Sequence, residues 1–229
     1  RLAALWRSQA NFDEAQQILR SGLPAVKQPA SLYAALADLY LQQGLALDAK
    51  TLLDAAINEL GSEPPLIVAM GAYFEAQAVQ DVVADDSAER WYMAYLQNHP
   101  NDTAVLMALG EHYLRRGMTA AAVMRYEQVV SLTPTVAEAY LALAQAYGAA
   151  NRSDDALAAL QQVTVLEPTL ADGYIELAKL YRAQVRPNDA QATYEVGMQL
   201  VPNDGPLYIA YCDFLVDQGQ TELALTLLA

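Results

Sequence analysis

Apolar residues recur along the chain at spacings of three and four, and no segment alternates with a period of two. That spacing predicts amphipathic helices throughout and no strands. The pattern also repeats on a larger scale. "TPTVAEAYLALAQAY" is followed thirty-four residues later by "EPTLADGYIELAKLY". Seven alanines, Ala15, Ala49, Ala88, Ala122, Ala156, Ala190 and Ala224, form a ladder with steps of 34, 39, 34, 34, 34 and 34 residues. Other columns keep step with it. Tyr33, Ile67, Leu106, Tyr140, Tyr174 and Tyr208 form one, and Leu36, Met70, Leu109, Leu143, Leu177 and Tyr211 another. Beside the second column stand only small residues, Ala37, Gly71, Gly110, Ala144, Ala178 and Cys212. Small side chains at one column allow two helices to cross closely, with a large neighbour filling the space around the crossing.

Each unit reads as two helices. Gly44, Gly117, Asn151 and Gly219 share one column and suit a helix end with left-handed backbone. Thr119, Ser153 and Thr221 follow two residues later and are expected to cap the second helix. Val185 breaks the column, and Pro187 with Asn188 is expected to restart the helix there. The step of 39 adds five residues between Phe74 and Ala88, expected as a lengthened helix or a protruding loop.

Thirteen basic residues face twenty-seven acidic ones, a formal charge of −14. The net field repels nucleic acid and anionic membrane surfaces and favours a basic partner, less so at high salt. No apolar run of eighteen residues occurs, so no direct membrane insertion is expected. The single cysteine, Cys212, excludes an intrachain disulfide and leaves a cytoplasmic or periplasmic setting open to a soluble protein. The opening "RLAALWRSQANF" has no initiator Met and no charged-then-apolar signal segment, and reads as a piece of a longer protein or one with its start removed.

Candidate chemistry changes little. His99 and His112 have no Cys or Asp set at metal-ligand spacing, so no metal and no cofactor are expected. Neither a Gly-rich phosphate loop nor a GxSxG elbow occurs, and no residue set points to an enzyme.

The columns resemble the tetratricopeptide repeat pattern W-x2-L-G-x2-Y…A-x3-F…P. Three clear copies are "LMALGEHY…A…Y…P" from Leu106 to Pro134, "YLALAQAY…A…L…P" from Tyr140 to Pro168 and "YIELAKLY…A…Y…P" from Tyr174 to Pro202. The reading is one solenoid over 1–229: a partial repeat at 1–29, repeats at 30–63, 64–102 (with the insertion), 103–136, 137–170 and 171–204, and a partial repeat at 205–229. The resemblance implies an all-α, right-handed superhelix of stacked antiparallel helix pairs, with first helices lining a concave groove that holds a protein or peptide.

On that register one first-helix column, Ala34, Val68, Met107, Leu141, Ile175 and Ile209, is expected to form an apolar seam. The next, Asp38, Ala72, Glu111, Gln145, Lys179 and Asp213, would stand along it. Asp38, Val68, Met107, Glu111, Leu141, Gln145, Ile175, Lys179, Ile209 and Asp213 are therefore the candidate partner-binding residues. An amphipathic, basic peptide segment suits them. The paired Lys and Asn with which some family members clamp a terminal carboxylate are absent, and only Lys179 and Arg182 offer a basic spot. The alternative is a structural arm of a larger assembly, such as a bacterial exopolysaccharide export or secretion system, or of an attached enzyme. The final "TELALTLLA" brings no polar capping helix, so self-association through uncapped terminal repeats is a further expectation.

Overall fold

The structure is a computed structural model that describes residues 12–23, 26–78 and 85–227. The described residues form thirteen helices and no strand. They are α1 (Phe12–Gly22), α2 (Ala30–Gln42), α3 (Ala46–Leu60), α4 (Pro64–Ala78), α5 (Asp85–Leu96), α6 (Thr103–Arg115) and α7 (Thr119–Leu132). There follow α8 (Ala137–Ala149), α9 (Ser153–Leu166), α10 (Ala171–Ala183), α11 (Pro187–Leu200), α12 (Gly205–Asp217) and α13 (Thr221–Leu227). The fold is all-α, built of successive helix pairs. Two compact units, residues 1–112 and 113–229, divide the chain within α6.

The turn inside each regular pair has one construction. Gly44, Gly117, Asn151, Val185 and Gly219 all take positive φ, between 58° and 76°. Each lets the following N–H reach back five residues: Leu45 to Tyr40, Met118 to Tyr113, Arg152 to Tyr147, Arg186 to Tyr181 and Gln220 to Leu215, at 2.8–2.9 Å. This is the Schellman ending, in which the left-handed residue turns the chain so that otherwise orphaned carbonyls are satisfied. Val185 is thus no exception in backbone shape. Its β-branched side chain is held at φ 58°, a conformation that crowds a branched Cβ. Pro187 does open α11, as expected.

The cap expectation needs correction. Thr119 and Ser153 are the first helical residues, while Met118 and Arg152 occupy the cap positions without side-chain cap bonds. The Schellman turn already commits the amides of Met118 and Arg152, so the helix starts one residue early. Carboxylate caps occur instead on first helices: Asp102 Oδ1 accepts from the Val105 N–H at 3.1 Å and Asp204 Oδ1 from the Leu207 N–H at 2.9 Å.

Packing follows the columns. Every ladder alanine is buried, at 0–3% exposure. In the first unit Ala15, Ala49, Leu53, Leu36, Ala37 and Met70 belong to one core cluster. In the second, Ala178, Ala190, Tyr194, Leu207, Tyr211 and Cys212 belong to another. The Cys212 thiol is raised above its ordinary pKa, chiefly by burial, which keeps it protonated and unreactive. Three buried tyrosine rings pack inward while their hydroxyls find partners at the edge. Tyr147 donates to Glu127 at 2.8 Å, Tyr174 to the Pro168 carbonyl at 3.0 Å and Tyr211 to Glu195 at 3.1 Å. Burial, and then the carboxylate partner, pushes the Tyr147 and Tyr211 hydroxyls up to about 12.

The longer step lies in the first unit. Helix α4 has 15 residues where α2 has 13, so the insertion begins as extra helix. Residues 79–84 lie outside the described residues, as do residues 1–11 of the first partial repeat.

Candidate binding face

The expected seam divides residue by residue. In the first unit Ala34, Val68 and Met107 are half-buried, with Asp38 half-buried and Glu111 exposed one turn on. Asp38 Oδ2 accepts a bond from Gln42 at 3.0 Å. In the second unit Leu141 is half-buried, and Gln145, Lys179 and Asp213 are exposed. Ile175 departs from the expectation: it is 7% exposed and belongs to the core cluster of α10 to α13. Helix α12 packs on α10 and covers it. Ile209, the same column on α12, is 59% exposed, because no described first helix follows α12. The burial of this column thus depends on the next helix pair, which periodicity within one helix does not report.

Both basic residues of the second unit's face are engaged. Lys179 Nζ lies 2.7 Å from Glu176 Oε1, and Arg182 pairs with Asp217. Asp172 and Glu176 are four apart on α10, with Lys179 three further, so they share one stripe. Glu138 and Gln145, seven apart on α8, share another. These two stripes carry three carboxylates against Lys179 and Arg182, both already paired with carboxylates.

Between α8, α9 and α10 the face opens into a cavity of about 380 Å3. Buried Ala144, Ala156 and Leu160 contribute lining from below, and exposed Gln145, Gly148 and Ala149 line it with Glu176, Lys179 and Leu180. A Cβ added to Gly148 would meet no atom within 4 Å. Gln145 and Lys179 were candidates from the sequence. Gly148, Ala149, Leu160 and Leu180 were not, because smallness at two adjacent helix-end positions has no spacing signal. Two glycine and alanine positions one turn beyond the Gln145 column were the available clue.

The first unit holds a different centre. Buried His112 contacts Glu75 Oε1 through Nδ1 at 2.9 Å, with the Tyr92 ring edge-on at 6.4 Å. Trp91 Nε1 donates to the Ile67 carbonyl at 3.0 Å. These contacts lock α4, α5 and α6 together rather than present a reactive group. Among the described residues no cluster of three metal-ligating side chains occurs, and no helix is long and apolar enough to cross a membrane.

Residues 113–180 match the tetratricopeptide repeat family. Solved structures of repeat proteins share the fold across the rest of the chain. Residues 113–180 are thus identified as tetratricopeptide repeats, and the chain as a whole shares the fold of solved repeat proteins. A crystal structure of MamA is 26% identical, with a TM-score of 0.54 over 65% of this chain and 86% of its own. A thermophilic tetratricopeptide protein of Thermus thermophilus is 21% identical, with a TM-score of 0.61 over 82% of this chain and 99% of its own. PilF of Pseudomonas aeruginosa is 17% identical, with a TM-score of 0.64 over 86% of this chain and 88% of its own. No curated protein matches the chain. The matched repeats are of a kind that serves, in the general sense, as a protein-interaction scaffold.

Proposed function

We propose that the first-helix face binds an amphipathic, basic protein or peptide segment and that the chain is a scaffold rather than an enzyme. The observation that carries this recurs within each unit: in the second, exposed Gln145, Lys179 and Asp213 accompany half-buried Leu141, and in the first, exposed Glu111 accompanies half-buried Val68 and Met107. A structured helix surface with an apolar strip and an acidic edge matches the face of an amphipathic helix. Ile175 supports rather than contacts, since it lies in the core. Asp38, also on this face in the first unit, and Ile209 in the second complete the proposed contacts.

The test is fluorescence anisotropy with a labelled twenty-residue peptide of Leu and Lys in amphipathic order. Met107→Asp and Leu141→Asp should each weaken binding about tenfold, and raised salt should weaken it further. Equal binding by wild type and both variants would exclude this face. Ile175→Asp is unsuitable, because a charge placed in the core would unfold α10.

A second reading, a structural arm of a larger assembly, is favoured by the last helix pair. Ile209, Val216, Leu223 and Leu225 on α12 and α13 are 42–64% exposed. Concentration-dependent association in light scattering, abolished by Ile209→Asp with Leu225→Asp, would support it.

A further inference from the structure

The cavity between α8, α9 and α10 is a separate feature of the binding face. We infer that it receives one aromatic side chain of the partner, flanked on the partner by Lys or Arg. This deepens the reading of the first-helix face as a binding surface and rests on it.

Three observations converge. At about 380 Å3 the cavity is in the size range of small-ligand pockets and generous for one aliphatic side chain. Its deep lining is apolar, from Ala144, Ala156 and Leu160, all within 5% of full burial. Its mouth is polar, with Gln145 on one side and the Glu176–Lys179 pair on the other. An apolar floor and a polar mouth suit a ring that carries a polar edge, as Trp and Tyr do. Charge then selects the flanking residues. Glu138, Asp172 and Glu176 lie on the stripes that bracket the cavity, and the two cations of this face are already held, Lys179 by Glu176 and Arg182 by Asp217. A basic flank meets an excess of carboxylate, whereas an acidic flank meets repulsion.

The opening is not forced by the fold. Gly148 has helical backbone, and a Cβ added there would meet no atom within 4 Å. A larger residue would be accommodated, and would stabilise α8 relative to glycine. The missing side chain at Gly148 therefore leaves the cavity open without serving a packing need.

The test titrates the isotope-labelled chain with two capped tripeptides, acetyl-Lys-Trp-Lys-amide and acetyl-Glu-Trp-Glu-amide, and follows backbone amide shifts by NMR. The expected result is saturable perturbation of Gly148, Ala149, Lys179 and Leu180, with the Lys-flanked probe at least fivefold tighter at low salt. Gly148→Leu, checked for an unchanged or raised Tm, should abolish the perturbation, while Gly148→Ala should retain most of it. Replacing Trp by Ala in the probe should also abolish it. No perturbation at these amides, perturbation untouched by Gly148→Leu, or equal affinity of the two probes would overturn the inference. The outcome is separable from that of the binding face as a whole. Tripeptide binding without binding of the twenty-residue peptide would leave the cavity standing and remove the larger reading. The reverse would remove the cavity alone.

Discussion

Gly71 and Gly148 both sit in first helices, one in each unit, and they answer the same addition oppositely. A Cβ on Gly71 would lie 2.1 Å from the Tyr92 ring; a Cβ on Gly148 would meet nothing within 4 Å. The helix crossings beside them explain why. In the first unit the ring of Tyr92 fills the crossing opposite Gly71 and Ala88. In the second, the corresponding residues are Leu160, Ala144 and Ala156, and they line an open cavity. One hairpin backbone therefore supports a sealed crossing or an open one, according to which side chains stand at two or three columns. The glycine that the fold requires is the buried one, and the glycine that leaves space is the exposed one.

Four substitutions test that contrast, beginning with the largest effect. Gly71→Ala should cost about 3 kcal/mol, at the upper end for overpacking a tight core, and lower the Tm in thermal denaturation. Adding Tyr92→Leu should recover much of the loss. A Gly71→Ala protein that melts normally would show that the Tyr92 ring moves aside freely. Val185→Gly should raise the denaturant midpoint by about 1 kcal/mol equivalent, because glycine accepts φ 58° without the strain of a branched side chain. Gly148→Ala should also stabilise, by about 0.5–1 kcal/mol, where Gly71→Ala destabilises; opposite signs at the two glycines are the point of the pair.

The smallest effect at neutral pH is expected from Glu127→Gln. Burial and the hydrogen bond to Glu127 push the Tyr147 hydroxyl up to about 12, above the ordinary value near 10. Because the folded pKa is the higher one, the stability contributed by the neutral phenol is complete below the unfolded pKa. It is lost as pH rises from about 10 to about 12. Glu127→Gln should lower the Tyr147 midpoint in an ultraviolet titration and leave the Tyr211 midpoint, supported by Glu195, where it was.

Much of the fold was legible before any coordinates. The alanine ladder set the repeat, and all seven of its members are buried. The Gly and Asn column predicted left-handed helix ends, which Gly44, Gly117, Asn151 and Gly219 adopt. Thr119 and Ser153 misled, because their type suits a cap but the preceding Schellman turn had already determined where the helix begins. The binding face was legible only as a pair of columns. Ile175 and Ile209 are the same residue type at the same register, yet one lies in the core and the other is exposed.

By itself, the sequence determined the helical period, the pairing of helices, the turns between them and the small residues at each crossing. Those properties depend on residues within a few turns of one another, so spacing along the chain records them. The tertiary structure alone decided which members of the apolar column are covered, that Tyr92 seals one crossing and that Leu160 leaves another open. Burial and free volume are properties of what the neighbouring helix pair brings to the contact, and a residue's place in its own repeat carries no record of that.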